Sequence, residues 1–234
     1  MLISGLISGL ICGLISGLLS SRCAACGCPG DVLCHRCRFS LASVGPQRCP
    51  DGIRAAFAFD GVARELIVAL KFRHRRAAAR VIAAQMVRRL GLQHVDLVTW
   101  APTSAQRVRR RGYDQAEAIA QCVARQLGVP CRRLLYRAHG GPQTGKSRVD
   151  RLAGPAFRAR RPRRDLSVLV VDDVVTTGAT LRTAAEALRG AGVARVELVA
   201  AASAQLRHSV PSYRDFVARG RGLAKASAVP AGRL

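Results

Sequence analysis

Between residues 51 and 202 the apolar positions switch repeatedly between a strand period and a helix period. Residues 55–60 alternate as a first strand, and Gly61 turns the chain into a helix ending near Leu70. Residues 76–90 place Val81, Ile82, Met86, Val87 and Leu90 at helical spacing, and residues 95–101 form a buried run that stops at Pro102. Asp114-x-x-Glu117 opens a further helix in the manner of a capping box, and Gly128 and Pro130 close it after Leu127. Residues 129–136 are expected as another strand and residues 195–201 as the last. This alternation predicts an α/β domain with a doubly wound, mostly parallel sheet.

One strand carries more information than the rest. Five apolar residues, Leu166 and Val168 to Val171, make a short run of the kind buried on both faces of a sheet. Asp172 and Asp173 follow, then Thr176-Thr177-Gly178-Ala179-Thr180. Leu181, Ala184, Ala185 and Leu188 then recur on one face of a helix, which Gly190 and Gly192 stop. Strand, polar loop and helix in this order put the acids and threonines at the carboxyl end of a parallel strand, where open α/β sheets bind ligands. Threonine hydroxyls, a glycine that lets backbone N–H groups come close, and the positive end of a helix suit a phosphate monoester. Two adjacent carboxylates repel unless sugar hydroxyls, a cation or basic side chains divide them. A ribose 5-phosphate has both a phosphate and a vicinal diol, so it meets both halves of the pattern. An ordinary buried strand and capped helix would need neither the two acids nor the three threonines.

Cysteine spacing predicts a second site. Cys23-x-x-Cys26 and Cys34-x-x-Cys37 are separated by seven residues rich in Gly and Pro, and together they offer four thiolates to a structural, tetrahedral zinc. Cys28 and Cys49 are nearby thiols, either of which could stand in for a ligand. His35, between Cys34 and Cys37, is read as a bystander. Unligated cysteines, or disulfides in a secreted chain, are the plainer alternatives.

Charge changes the list of partners more than the fold. The 234-residue chain has a formal net charge of +24, with 35 arginines against three lysines, which reads as a coding bias as much as a functional signal. Such a charge binds polyanions through counterion release, with an affinity that falls steeply as salt rises. Basic clusters lie at Lys71–Arg80, at Arg107–Arg111, and at residues 132–164, where 11 basic residues face the single acid Asp150. Aromatic residues interleave poorly with them, so stacking on single-stranded bases has little support. The pattern contains no nucleophile elbow, P-loop lysine or zinc-protease helix, which argues against hydrolase and ATPase readings.

The strand, Asp172-Asp173 and the Thr176–Thr180 loop resemble the fingerprint of the type I phosphoribosyltransferases. In that family the acids hold the ribose hydroxyls of phosphoribosyl pyrophosphate (PRPP), with magnesium, and the loop holds the 5-phosphate. The resemblance implies a pyrophosphate loop after residues 95–101, carrying Thr103, Ser104 and Arg107. It also implies a flap over residues 137–150 that closes on PRPP, with a plain surface loop as the equal alternative.

A cysteine knuckle ahead of such a domain resembles the ComF family of competence-associated proteins. Leu70-Lys71-Phe72, Ala101-Pro102-Thr103-Ser104 through Arg107, Arg111-Gly112-Tyr113-Asp114-Gln115-Ala116, and Gln143-Thr144 with Arg148 and Arg151 add to that resemblance, which spans residues 22–202. Asp114 stands where the family often has Asn. The implied ligand set is Asp172, Asp173, Thr176, Thr177, Gly178, Ala179, Thr180, Arg107 and Arg111 for PRPP with magnesium, and Cys23, Cys26, Cys34 and Cys37 for zinc. Two functions are compatible with it. One is a phosphoribosyltransferase-like protein that binds PRPP or a ribose 5-phosphate ligand and is linked to DNA uptake in natural transformation. The alternative is a non-enzymatic competence factor that handles single-stranded DNA and uses the fold only for binding.

The expected organisation is an apolar leader (1–21), a zinc knuckle (22–50) that unfolds separately on chelation, the phosphoribosyltransferase-like domain (51–202) and a basic, loosely ordered tail (203–234). The leader repeats Leu-Ile-Ser-Gly almost unchanged and is just long enough to span a bilayer. No basic residue precedes it, and Gly at every fourth position weakens a helix. Low-complexity sequence or an early start codon explains it equally well, so membrane contact is not the favoured reading. A cytoplasmic protein, at most at the inner face of the membrane, is expected.

Overall fold

The computed structural model describes residues 22–43, 45–92, 94–138, 155–161 and 166–204. The leader, the segment 139–154 that holds most of the expected flap, and the tail beyond Ala204 lie outside the described residues. Among those described, no helix is long and apolar enough to cross a membrane.

In chain order the elements are α1 (His35–Ala42), β1 (Gln47–Arg48), β2 (Arg54–Ala58), α2 (Gly61–Phe72), α3 (Ala78–Leu90), β3 (Leu97–Trp100), α4 (Ala105–Arg111), α5 (Gln115–Leu127), β4 (Leu135–Arg137), β5 (Phe157–Ala159), β6 (Ser167–Val175), α6 (Ala179–Gly190) and β7 (Arg195–Ser203). The main sheet runs β1-β2-β7-β6-β3. Its last four strands are mutually parallel, and β1 adds antiparallel to β2.

Alternation along β6 explains why the sheet needs helices on both sides. Leu169 and Val171 pack into the core formed with α2, α3 and α5. Val168 and Val170 pack against Leu181, Ala184, Ala185 and Leu188 of α6, the face expected from the helical spacing. The knuckle is not set apart from this architecture. Cys23, Leu33, Cys37 and Leu41 belong to the same core as Phe57, Leu66 and Met86. Arg89 of α3 also donates to the Leu41 carbonyl at 2.6 Å and lies over the Phe57 ring.

Two expectations need correction. Residues 129–136 do not make a single strand of the main sheet. Pro130 has no N–H to give, so the segment touches the β3 edge only through a bridge between Val98 and Cys131, with Val98 N–H donating to Pro130 O and Arg132 N–H to Val98 O. The chain then leaves the edge, and Leu135–Arg137 pairs with β5 in a separate two-stranded sheet. The second correction concerns β6, which runs through both acids to Val175. Pairing with β7 sustains it, with Asp172 opposite Ala200 and Val174 opposite Ala202.

β3 stops pairing at Trp100 opposite Val171, and Ala101 N–H to Val171 O is its last bond to β6. Beyond that point no strand among the described residues pairs with this edge of β6, and the crevice at the carboxyl end of the sheet opens there.

Candidate functional site

The polar pocket at this crevice is lined by Asp172 and by Val174 through Leu181. Gly178 sits at φ +80, a left-handed conformation that lets the chain turn sharply from strand into α6. A Cβ at that position would stand 2.9 Å from Ile53 Cδ1, so glycine is required by space as well as by backbone. Thr176 and Thr177 are exposed, Thr180 is half-buried, and Gly178 and Ala179 are buried. The Thr177 hydroxyl accepts from Ala179 N–H at 3.4 Å, while the first turn of α6 directs its backbone donors at the same space.

The two acids are in different settings. Asp173 accepts from Lys71 Nζ at 2.8 Å, both side chains being mostly buried. Asp172 takes the Asp173 backbone N–H at 2.7 Å. Burial, followed by the negative charge of Asp173, raises its carboxyl to about 8 against the opposing pull of that N–H and of Lys71.

Asp114 bridges two sides of the crevice. Its Oδ1 caps α5 by accepting from Ala116 N–H at 3.0 Å and Glu117 N–H at 3.4 Å. Its Oδ2 accepts from Thr103 N–H at 2.8 Å, which fastens the loop after β3. Burial raises its carboxyl, and the three N–H donors work against that rise.

Arg107 lies on α4 rather than in the loop where the sequence placed it. Ser104 caps that short helix by accepting Arg107 N–H, so helix begins directly after Pro102-Thr103. Arg111, at the other end of α4, donates to Gln115 Oε1 at 2.8 Å and lies 4.9 Å from the Phe72 ring centroid. Burial lowers its guanidinium value and the Asp173 charge raises it, so the fold brings Arg111 into the field of the acidic pair.

Four residues around this site were not singled out from the sequence: Arg137, Arg182, Asp51 and Ile53. Arg137 of β4 donates to Pro102 O at 3.1 Å and is held low by burial and by Arg107, with Asp172 and Asp114 acting the other way. It was hidden among 11 basic residues with no local mark. Arg182 of α6 donates from Nη1 to Thr177 O at 2.9 Å and to Asp51 Oδ2 at 2.7 Å, a pair separated by 131 positions in the chain. Together with Ile53 this braces the outside of the threonine loop.

The four predicted knuckle cysteines do converge. Their Sγ atoms all lie within 4.8 Å of one another, with Cys23 and Cys37 buried and Cys26 and Cys34 half-buried. Burial pushes the Cys23 thiol up, but N–H groups of Cys26, Cys34 and Ala25 overcome it and bring it to about 6. Such N–H···S contacts stabilise thiolates, the form that binds metal. All described cysteines are free thiols. Cys49 is elsewhere, donating to Ser203 Oγ at 3.3 Å, so it is no substitute ligand. His35 is exposed, consistent with a bystander.

The chain is similar in sequence to several known proteins. The family described as "Phosphoribosyl transferase domain" matches residues 114–219. The competence protein ComFC of Bacillus subtilis is 24% identical over 179 residues, 74% of this chain and 73% of its own length. The DNA utilization protein YhgH of Salmonella typhimurium is 29% identical over 195 residues, 76% of this chain and 82% of its own. Among solved structures, the glutamine PRPP amidotransferase of B. subtilis, complexed with ADP and GMP, aligns at 22% identity and a TM-score of 0.40 over 54% of this chain. The match spans about a quarter (26%) of that enzyme.

The mostly parallel sheet with helices on both faces and the matched domain give the chain the fold of the type I phosphoribosyltransferases. Its relatives over most of the chain and its amino-terminal four-cysteine cluster fit a ComF-type protein.

Proposed function

We propose that this protein binds PRPP, or a ligand carrying ribose 5-phosphate, with magnesium at the carboxyl end of β6, and does so in the service of DNA uptake. The juxtaposition of the raised Asp172 carboxyl with the threonine loop carries the reading. The loop and the α6 N-terminus suit the 5-phosphate, and the acids suit the ribose diol. Asp172 and Asp173 are also oxygen donors of the type magnesium takes, and the ion would neutralise charge that now opposes ionisation of Asp172. Magnesium, when bound, supplies electrostatic support for pyrophosphate departure.

Arg107, Arg111 and Arg137 supply positive charge on the β3 side, suited to the pyrophosphate. An acceptor that displaces pyrophosphate at the anomeric carbon would make the protein a phosphoribosyltransferase, with the basic rim stabilising the leaving group. The names of the relatives, competence protein and DNA utilization protein, support the link to DNA. The net charge of +24 favours a second reading, in which single-stranded DNA is held on the surface and the fold serves only for binding. The four-thiolate cluster suits a structural zinc.

Competition distinguishes the halves of the ligand. Ribose 5-phosphate is expected to displace PRPP, with ribose and inorganic phosphate each far weaker. Displacement by phosphate alone at equal concentration would count against a site that reads the sugar. Binding of an oligonucleotide that PRPP cannot displace would support the second reading.

A further inference from the structure

The knuckle has five thiols where four complete a tetrahedron. Zinc–sulfur bonds of about 2.3 Å in a tetrahedral site set ligand sulfurs about 3.8 Å apart. Cys26 Sγ and Cys34 Sγ already stand 3.7 Å apart, an edge of that tetrahedron without any adjustment. Cys28 Sγ lies 3.3 Å from Cys26 Sγ, closer than two ligands of one zinc would sit. Cys28 Sγ is not among the four sulfurs that lie within 4.8 Å of one another, so it stands beside the Cys26 corner as a fifth thiol.

Backbone geometry explains how both thiols reach that corner. Gly27 has φ +78 and donates its N–H to Cys23 O at 2.9 Å, and Cys23 N–H donates to Cys28 O at 2.8 Å. These bonds fold Cys26-Gly27-Cys28 into a tight turn around Cys23, which returns the Cys28 side chain toward the cluster. The remaining corners are fixed differently. Cys23 and Cys37 are buried in the shared core, whereas Cys26, Cys28 and Cys34 are half-buried against it.

We propose that Cys28 is an exchangeable ligand of the knuckle metal, taking the corner of Cys26 when that thiol is removed or modified. The proposal rests on the metal-binding reading of the cluster. In a direct exchange Cys28 gives up its proton as it binds and Cys26 takes one as it leaves; where Cys26 is alkylated its sulfur takes the alkyl group, the reagent's leaving group departs and the Cys28 proton passes to solvent, so the metal keeps four thiolates in either case. The metal would then survive loss of one half-buried ligand, which a closed four-thiolate site does not.

Cobalt(II) loaded into the full-length chain counts thiolate ligands through its sulfur-to-cobalt charge-transfer band and its visible spectrum. Wild type, Cys28→Ser and Cys26→Ser are each expected to show the four-thiolate signature at one metal per chain. Cys26→Ser/Cys28→Ser should fall to three thiolates and release metal to a chelator at least about tenfold faster. A three-thiolate spectrum for Cys26→Ser, equal to that of the double variant, would overturn the proposal.

A wild-type measurement avoids dependence on variants that fold poorly. Limited alkylation of the zinc-loaded protein should place about one adduct per chain, distributed between Cys26 and Cys28, with zinc retained. Adducts confined to Cys28 would mean that it never enters the metal shell. A wild-type chain that holds neither cobalt nor zinc would overturn the metal reading and the exchange together.

Discussion

Replacing Asp172 by Asn removes the carboxyl that, among the described residues, the fold holds furthest from its ordinary ionisation. In the folded protein its carboxyl is raised from 3.8 to about 8, chiefly by burial and then by Asp173. Such a group retains a proton that the unfolded chain releases. Its contribution to stability is therefore fully present below the unfolded value of 3.8 and is lost as pH rises through the folded value near 8. At about 1.4 kcal/mol per pKa unit, the full difference would be roughly 6 kcal/mol. Relaxation, water entry and the titration shared with Asp173 reduce this, and about 2–3 kcal/mol is the expected loss in wild type between pH 5 and pH 8.5. Asparagine keeps the shape and the oxygen that accepts the Asp173 N–H, but it does not ionise. Urea denaturation of both proteins at the two pH values, without ligand, isolates the effect because other titrations cancel in the difference. The stability difference between Asp172→Asn and wild type should be about 2–3 kcal/mol more favourable to Asn at pH 8.5 than at pH 5. Equal pH dependence in the two proteins would refute the claim that this carboxyl is buried and opposed by its neighbour.

Three further outcomes follow from single contacts. Lys71→Met leaves Asp173 without its 2.8 Å partner and should cost about 2–4 kcal/mol near neutral pH; adding Asp173→Asn should restore much of that in the same denaturation assay. Gly178→Ala meets Ile53 Cδ1 and an unfavourable φ, so a loss of about 1–3 kcal/mol is expected, partly recovered in Gly178→Ala/Ile53→Val as the crowding eases. Chelation of the knuckle metal should lower the melting temperature of the whole described domain in one transition, because Cys23, Cys37 and Leu41 share the core of Phe57 and Met86. Two separated transitions in calorimetry would mean that the knuckle melts by itself.

Local patterns revealed most of what is local. The period of residues 181–188 identified the α6 face that packs on β6, and Asp114-x-x-Glu117 marked the start of α5, because each signal spans only a turn or two of chain. The expected strand at 129–136 failed for a physical reason: its apolar residues suit an edge, but Pro130 cannot continue a ladder and Arg132-Arg133 favour solvent. The candidate site was legible in the same uneven way. The acids, threonines and four cysteines were close in sequence and stood out by spacing. Lys71 against Asp173 spans 102 positions and Asp51 against Arg182 spans 131, so only the sheet order brings them together. Arg137 carried no signal, since it is one arginine among many.

Calorimetric titration of PRPP with magnesium into the full-length protein, at low and high salt, decides whether the β6 crevice is a PRPP site. Saturable binding is expected with one site per chain, persisting at high salt and disappearing in folded Asp172→Ala/Asp173→Ala. Absence of PRPP binding, with single-stranded DNA bound only at low salt, would contradict it and leave a basic surface on a fold that has lost its ligand.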